Sequence, residues 1–305
     1  MRIIGGDVGG TKTLLRCVES NGEISAEARF ESAKYSTFEA LLREFLGSCP
    51  GVIDAACFAV AGPVLGTHAE VTNVGWRIDA GDVGIERVAL INDFYAIALG
   101  VPLLGDADVL SIHPGKRERT APIAILGAGT GLGEAIVAHY GTEWVVIPTE
   151  GGHADFAPQD EEQARLYLHL RERLGGHVSW ERVLSGMGLV NIFTFLGGPE
   201  IKPKEIAELA ANGDARAVHT FDMFVDIYGA EAGNMALRIL ARGGVFLAGG
   251  IAAKNVARFT DGKFVTAFLR KGRFHAMLDA IPVDLITNEK VGLIGAVEGA
   301  RRMLR

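Results

Sequence analysis

The stretch Gly5-Gly6-Asp7-Val8-Gly9-Gly10-Thr11-Lys12-Thr13 combines small residues, a hydroxyl and a carboxylate within a few positions. It is not a Walker A loop, because Thr11 separates Gly10 from Lys12 and a strand pattern follows where a helix should begin. Glycines between two strands let backbone N–H groups approach an anion, and Asp7 could hold a hydrated Mg²⁺ on that anion. A tight β-turn with a capping Asp would use the same residues. A second such run, Gly127-Ala128-Gly129-Thr130-Gly131-Leu132-Gly133, also follows a strand pattern. Leu132 and Glu134 occupy the positions where a dinucleotide fingerprint starting at Gly127 or Gly129 needs its third glycine. Two such turns are expected to act as two jaws on one polyphosphate, and Ala248-Gly249-Gly250-Ile251 would let a purine lie against the backbone at the end of the last core strand.

Other polar residues sit beside apolar runs. Asn92-Asp93 ends the apolar segment Val88-Ala89-Leu90-Ile91 just where a helix pattern begins, which is where α/β folds place site residues and also where helices take their N-caps. Thr149-Glu150-Gly151-Gly152-His153-Ala154-Asp155 puts an acid and an imidazole in one loop without the spacing of a helical zinc site. Such a pair suits the hydroxyls of a polyol. Thr72-Asn73-Val74-Gly75-Trp76 and Trp180-Glu181-Arg182 supply further amide, acid and indole groups.

These residues need elements to position them. Strands are expected over 2–5, 13–19 and 24–31 as a meander, with Asn21-Gly22 as a hairpin turn, then over 55–61 and 88–91. Helical spacing of Phe38, Leu41, Leu42 and Phe45 predicts a helix over 37–46, and another starts after Asp93. The polar, turn-rich segment 105–120 is the expected domain boundary. Beyond it come strands over 122–126, 134–139, 144–148 and 245–248. Helices are expected over 159–174, 188–196, 203–212, 214–242 and 290–304, the last packing back on the first domain.

A chain of 305 residues with 49% hydrophobic content can build two cores without staples. Its net charge of −7 disfavours nucleic acid and anionic membrane surfaces as partners. The longest uncharged run, residues 183–199, is broken by Gly186, Gly188 and Asn191, so a membrane span is not expected. Cys17, Cys49 and Cys57 form no C-x-x-C pair, and a charged Asp7 arrives before any signal-peptide core. The expectation is a cytoplasmic, reduced protein whose thiols fill the core.

The collinear order of Asp7-Val8-Gly9-Gly10-Thr11, Asn92-Asp93-Phe94, Gly127-Ala128-Gly129-Thr130-Gly131, Glu150-Gly151-Gly152-His153 and Gly249-Gly250-Ile251 resembles the bacterial ATP-dependent glucokinase family. The resemblance extends through Asp155-Phe156-Ala157-Pro158, Glu181-Arg182-Val183-Leu184-Ser185-Gly186 and Lys271-Gly272-Arg273-Phe274, and so covers nearly the whole chain. It implies a two-domain α/β actin-like ATPase (ribonuclease H-like) fold with an interdomain cleft. Residues 1–103 and 287–305 would form the small domain, and 104–286 the large one. It further implies ATP and Mg²⁺, a small-molecule sugar and a homodimer. Asp93 would be the catalytic base, and Asn92, Glu150, His153 and Glu181 would bind the other sugar hydroxyls. Asp7 would organise Mg²⁺ through water. Gly9, Gly10, Thr11, Gly129, Thr130 and Gly131 would hold phosphates, and Gly249 and Gly250 would flank adenosine. Lys12 stands where that family more often has Asn, and resembles instead the related repressor-and-kinase sugar family, whose cysteine-rich zinc motif is missing after His153. A kinase for another hexose or N-acyl hexosamine, and a non-catalytic nucleotide switch, are the competing readings.

Overall fold

The computed structural model describes residues 1–49, 51–71 and 73–305, and divides into two units, Met1–Gly105 with Asn288–Arg305, and Asp106–Thr287.

In the first unit, β1 (Arg2–Val8), β2 (Lys12–Glu19) and β3 (Ile24–Glu31) form the expected meander. Helix α1 (Phe38–Gly47) starts one residue after Thr37, whose hydroxyl caps it by accepting from the Ala40 N–H. Its apolar face, Phe38, Leu41, Leu42 and Phe45, is buried over the sheet with Phe58 and Leu15. Strand β4 (Ala55–Val60) is buried at every position, as a central parallel strand must be. Strands β5 (Val64–Leu65), β6 (His68–Val71) and β7 (Trp76–Asp79) make a small separate sheet that the sequence reading lacked. Strand β8 (Val88–Asn92) and helix α2 (Asp93–Gly100) follow. The main sheet runs β3-β2-β1-β4-β8, with β1, β4 and β8 parallel. The C-terminal helix Val291–Arg302 closes this unit by packing on β1 and α2. The approach needs Gly5, where a Cβ would stand 2.5 Å from the Val297 side chain.

The cysteine expectation is corrected here. Cys17 on β2 and Cys49 after α1 are joined in a disulfide, with Cα atoms 6.7 Å apart. They lie 32 residues apart in sequence, and only the packing of α1 across the sheet makes them neighbours. Cys57 is the buried filler expected, and burial pushes its thiol up to about 12.

The second unit opens with β9 (Val109–His113), inside the segment read from sequence as a polar boundary. It pairs antiparallel with a late strand, a long-range partner that local pattern does not reveal. Strands β10 (Ile123–Ala128), β11 (Leu132–Tyr140) and β12 (Glu143–Thr149) make a second meander. Helices α3 (Glu161–Leu174), α4 (Gly186–Phe195), α5 (Pro203–Ala211) and α6 (Ala215–Ile239) then build the core on one face. Asp160, Ser185 and Asp214 cap α3, α4 and α6 with their side chains. Strand β13 (Gly244–Ala248) is followed by the short helices α7 (Gly250–Lys254), α8 (Val256–Phe259), α9 (Lys263–Leu269) and α10 (His275–Asp279). Strand β14 (Val283–Ile286) completes the sheet order β12-β11-β10-β13-β14-β9. Gly249-Gly250 therefore ends an inner strand and not the last one, as the sequence reading had it. No helix among the described residues is long and apolar enough to cross a membrane.

Candidate active site

In the first unit the strand register assembles the site. Val8 stands level with Val60 on β4, and Val60 with Asn92 on β8, so the ends of β1 and β8 that lead to Asp7 and Asp93 lie at the same end of the sheet, on either side of β4. The β1–β2 turn is closed by the Gly9 N–H donating to the Lys12 carbonyl at 3.0 Å. Gly10 must be glycine, because a Cβ there would come 2.4 Å from Asn73 Cβ. Lys12 extends its Nζ to within 3.4 Å of a Glu289 carboxylate oxygen.

Asp7 and Asp93 interact electrostatically. Burial, followed by the negative charge of Asp93, raises Asp7 to about 6, and Lys12 opposes the shift. Asp93 is also raised by burial, against the pull of the Phe94 N–H, which donates to its Oδ1 at 2.9 Å. Asp7, a partly buried carboxyl beside a second negative charge, is an oxygen donor suited to a hard divalent cation. Asn92 caps α2: its Oδ1 accepts from the Phe94 and Tyr95 N–H groups at 2.9 and 3.2 Å. The N-cap reading therefore holds for Asn92, whose side chain also hydrogen-bonds the Asp93 carboxyl.

In the second unit the β10–β11 turn is closed by the Gly129 N–H donating to the Gly131 carbonyl at 2.8 Å. Gly186, at the start of α4, donates its N–H to Gly129 O at the same distance. The space that a Cβ would take at Gly129 is open. At Gly131 it would come 2.5 Å from Glu181 Oε2, the oxygen that accepts the Leu132 N–H at 3.0 Å. Glu181 is thus partly committed to holding this turn. Gly249, at φ +87°, passes so close that a Cβ would stand 2.4 Å from the Ala128 carbonyl.

The acid-and-imidazole loop lies on the same edge. Residues 151–153 form a short 3-10 turn, and a Cβ at Gly152 would meet the Leu132 carbonyl at 2.3 Å. Ala154 accepts the Trp180 N–H at 3.0 Å, which ties this loop to the segment carrying Glu181. His153 Nε2 is 3.8 Å from Glu150 Oε2, and both side chains are largely exposed.

The structure therefore gathers Asp7, Gly9, Gly10, Thr11, Asn92 and Asp93 in one unit, and Gly129, Thr130, Gly131, Glu150, His153, Glu181, Gly249 and Gly250 in the other. Two expected contributors are corrected. Trp76 donates its indole N–H to the Tyr35 carbonyl at 3.3 Å inside the first core, and Trp180 is buried against Phe156. Both rings are framework, because their apolar area is worth more in the core than at a wet site. Asn73 lies under Gly10, and Thr72 is outside the described residues. The sequence reading passed over Glu134, whose place inside a strand of apolar neighbours was the available signal.

Each unit lays out its main strands in one pattern, two antiparallel hairpins followed by parallel strands, with a glycine turn joining the first two. This is the actin-like ATPase fold in the form found among sugar kinases. The glucokinase family model matches residues 4–303. A curated glucokinase from Trichormus variabilis is 38% identical, with 99% of each chain covered. The crystal structure of a glucokinase from an Antarctic psychrotroph superposes with a TM-score of 0.90 at 29% identity, covering 99% of both chains. A ROK family glucokinase from Streptomyces griseus, solved with glucose and AMPPNP, has a TM-score of 0.62 at 22% identity, with 99% of this chain and 100% of that one covered. The chain belongs to the glucokinase family, and is accordingly an ATP-dependent hexose kinase.

Proposed function

We propose that the protein transfers the γ-phosphoryl group of ATP to the 6-hydroxyl of D-glucose, with Asp93 as the base. The observation that carries this reading is that Asp93 and Asp7 stand at the same end of the sheet, close enough to interact electrostatically, beside a glycine turn closed by its own backbone. Asp93 takes the hydroxyl proton, the hydroxyl oxygen bonds to the γ-phosphorus, and the bond from that phosphorus to the bridging oxygen of ADP breaks. The transition state is loose, so positioning and charge stabilisation carry most of the rate, and a carboxylate whose basicity burial raises suffices.

Asp7 would hold Mg²⁺, which when bound would supply positive charge to neutralise the phosphates. Among the described residues no group of three or more His, Cys, Asp or Glu side chains could cage a metal, which suits an ion held by one carboxylate and the nucleotide. The turns at Gly9, Gly10 and Thr11, and at Gly129, Thr130 and Gly131, receive the phosphates, with the Gly9 and Gly129 N–H groups closing the turns and the N–H groups of Gly10, Thr11, Thr130 and Gly131 facing the anion, and Gly249 and Gly250 flank adenosine. Asn92, Glu150, His153 and Glu181 bind the remaining sugar hydroxyls. Their support is the family resemblance together with the side-chain oxygens and nitrogens each still presents.

The protein acts in the cytoplasm as a homodimer whose product enters glycolysis, and sedimentation at working concentration tests the dimer. The decisive assay follows ADP formation from Mg-ATP with glucose, mannose, fructose, N-acetylglucosamine and N-acetylmannosamine, with the product identified as the 6-phosphate. Turnover on glucose is expected. Preference for another sugar moves the specificity, and no turnover with any of them overturns the reading.

A further inference from the structure

The carboxyl of Glu134 has no part in the roles above, and it is the most unusual acid in the molecule. Glu134 lies on the face of β11 that packs under α6, is 2% exposed, and neither carboxyl oxygen has a hydrogen-bond partner among the described residues. An ionised carboxylate left bare in such a place is costly, so the group must keep its proton or gain a partner.

Its surroundings are charged on one side and functional on the other. From α6 come Glu231, Arg238 and Tyr228. Glu231 is fully buried and already engaged, with Oε1 accepting from Arg238 Nη1 at 2.6 Å and Oε2 from Asn234 Nδ2 at 2.7 Å. Asn234 in turn accepts from Lys271 Nζ at 2.7 Å, so the nearby cations are spent on the Glu231 side of the cluster. From β12, Thr149 gives its hydroxyl to the Glu134 backbone carbonyl at 3.2 Å and leaves the carboxyl alone. On the other side is the turn that carries Glu150 and His153. Gly151 rests so directly on Glu134 that a Cβ there would stand 2.0 Å from Oε2. The same Gly151 N–H donates to Thr149 Oγ1 at 3.1 Å, which fixes the start of the turn to the strand.

We propose that Glu134 is a proton-dependent positioning residue for the 150–153 turn: protonated, it is the surface on which the turn sits, and on losing its proton to solvent it displaces the turn and weakens sugar binding. The inference rests on the proposed sugar-binding role of Glu150 and His153. Burial, reinforced by the Glu231 carboxylate and opposed by Arg238, raises Glu134 to about 8, so the change falls just above neutral pH. Glu150 and His153 are themselves exposed and touch one another, and the turn has no other buried acid beneath it among the described residues.

The test is KM for the preferred sugar, and KM for ATP, from pH 6.5 to 9.5 in the wild type and in Glu134→Gln. In the wild type the sugar KM should rise by up to about tenfold per pH unit above the transition, with the ATP KM level. In Glu134→Gln the sugar KM should stay flat over that range. A wild-type KM that does not change, or one that rises equally in the variant, overturns the proposal. A purely structural acid would move the melting temperature with pH but not the sugar KM. Should the variant not fold, wild-type calorimetry at pH 8 in buffers of different ionisation enthalpy decides, since sugar binding must then take up protons and zero uptake overturns the idea. No phosphorylation of any sugar would break the functional reading itself, whereas turnover with a pH-independent KM breaks only this inference.

Discussion

The two glycine turns occupy equivalent places in equivalent sheets, between the first two strands of a meander, yet they are built from opposite materials. The β1–β2 turn is charged, with Asp7 before it, Lys12 after it and Asp93 at the neighbouring strand end. The β10–β11 turn, Gly127 to Gly133, has no ionisable side chain of its own and borrows Glu181 from elsewhere to hold the Leu132 N–H. On the proposed reading, one topology serves two kinds of anion contact. The first turn brings carboxyls to the phosphates, which suits the end of a polyphosphate where bonds change. The second offers dipoles alone, which suits phosphates that only need holding.

Substitutions can break or sharpen that contrast. The largest effect is expected for Asp93→Asn, with turnover falling by about 10²- to 10⁴-fold, the usual worth of a general base, while sugar affinity persists. Near wild-type turnover would remove the base from the charged turn's neighbourhood. Asp7→Asn should also lower turnover strongly and raise the Mg²⁺ concentration needed for half-maximal rate. Because Asp7 must be ionised to hold the ion and is raised to about 6, wild-type activity at limiting Mg²⁺ should fall below that pH. A titration showing the same acid limb in Asp7→Asn would exclude it as the source.

Smaller effects come from the neutral turn. Gly131→Ala presses on Glu181 Oε2, and should raise KM for ATP and sugar together, whereas Gly129→Ala, facing open space, should act on the ATP KM alone. Glu134 gives a stability readout. Its folded value is raised above that of the unfolded chain, so the native state holds the extra proton. Stability contributed at low pH is lost as pH rises from about 4.5 to about 8. Glu134→Gln should flatten that loss, which urea denaturation across this range would measure. The smallest change is expected for Lys12→Asn, a several-fold rise in ATP KM that weakens as salt is added, because an exposed charge is screened.

Much of this site was legible in the sequence, for a physical reason. Glycine turns after apolar strands are local features, and so are the starts of α1, α3 and α6, which were read within one or two residues. What escaped depended on partners far along the chain. Strand β9 exists because β14 is there to pair with it, and the Cys17–Cys49 bond exists because α1 crosses the sheet. Glu134 escaped for a related reason. A lone acid among apolar strand neighbours hints at burial, but not at the Glu231 and Arg238 charges of α6 that face it. The double glycine of residues 151–152 was legible as a turn, but not as two contacts: one glycine clears the Glu134 carboxyl and the other the Leu132 carbonyl.

The C-terminal helix gives the molecule an order of assembly. It covers β1 at Gly5 and α2 at Gly100, so the strand Arg2–Val8 is completed by a helix from far along the chain, Val291–Arg302. The second unit is continuous, from Asp106 to Thr287, and has all its strands once residue 286 has left the ribosome. Until residue 302 follows, the nascent first unit shows an uncovered apolar sheet face, with Ile3, Val18 and Ala55 awaiting Val297 and Ala300. Translation that stops short would therefore spoil the beginning of the protein, leaving a chaperone substrate whose fault lies some two hundred and ninety residues from the missing segment.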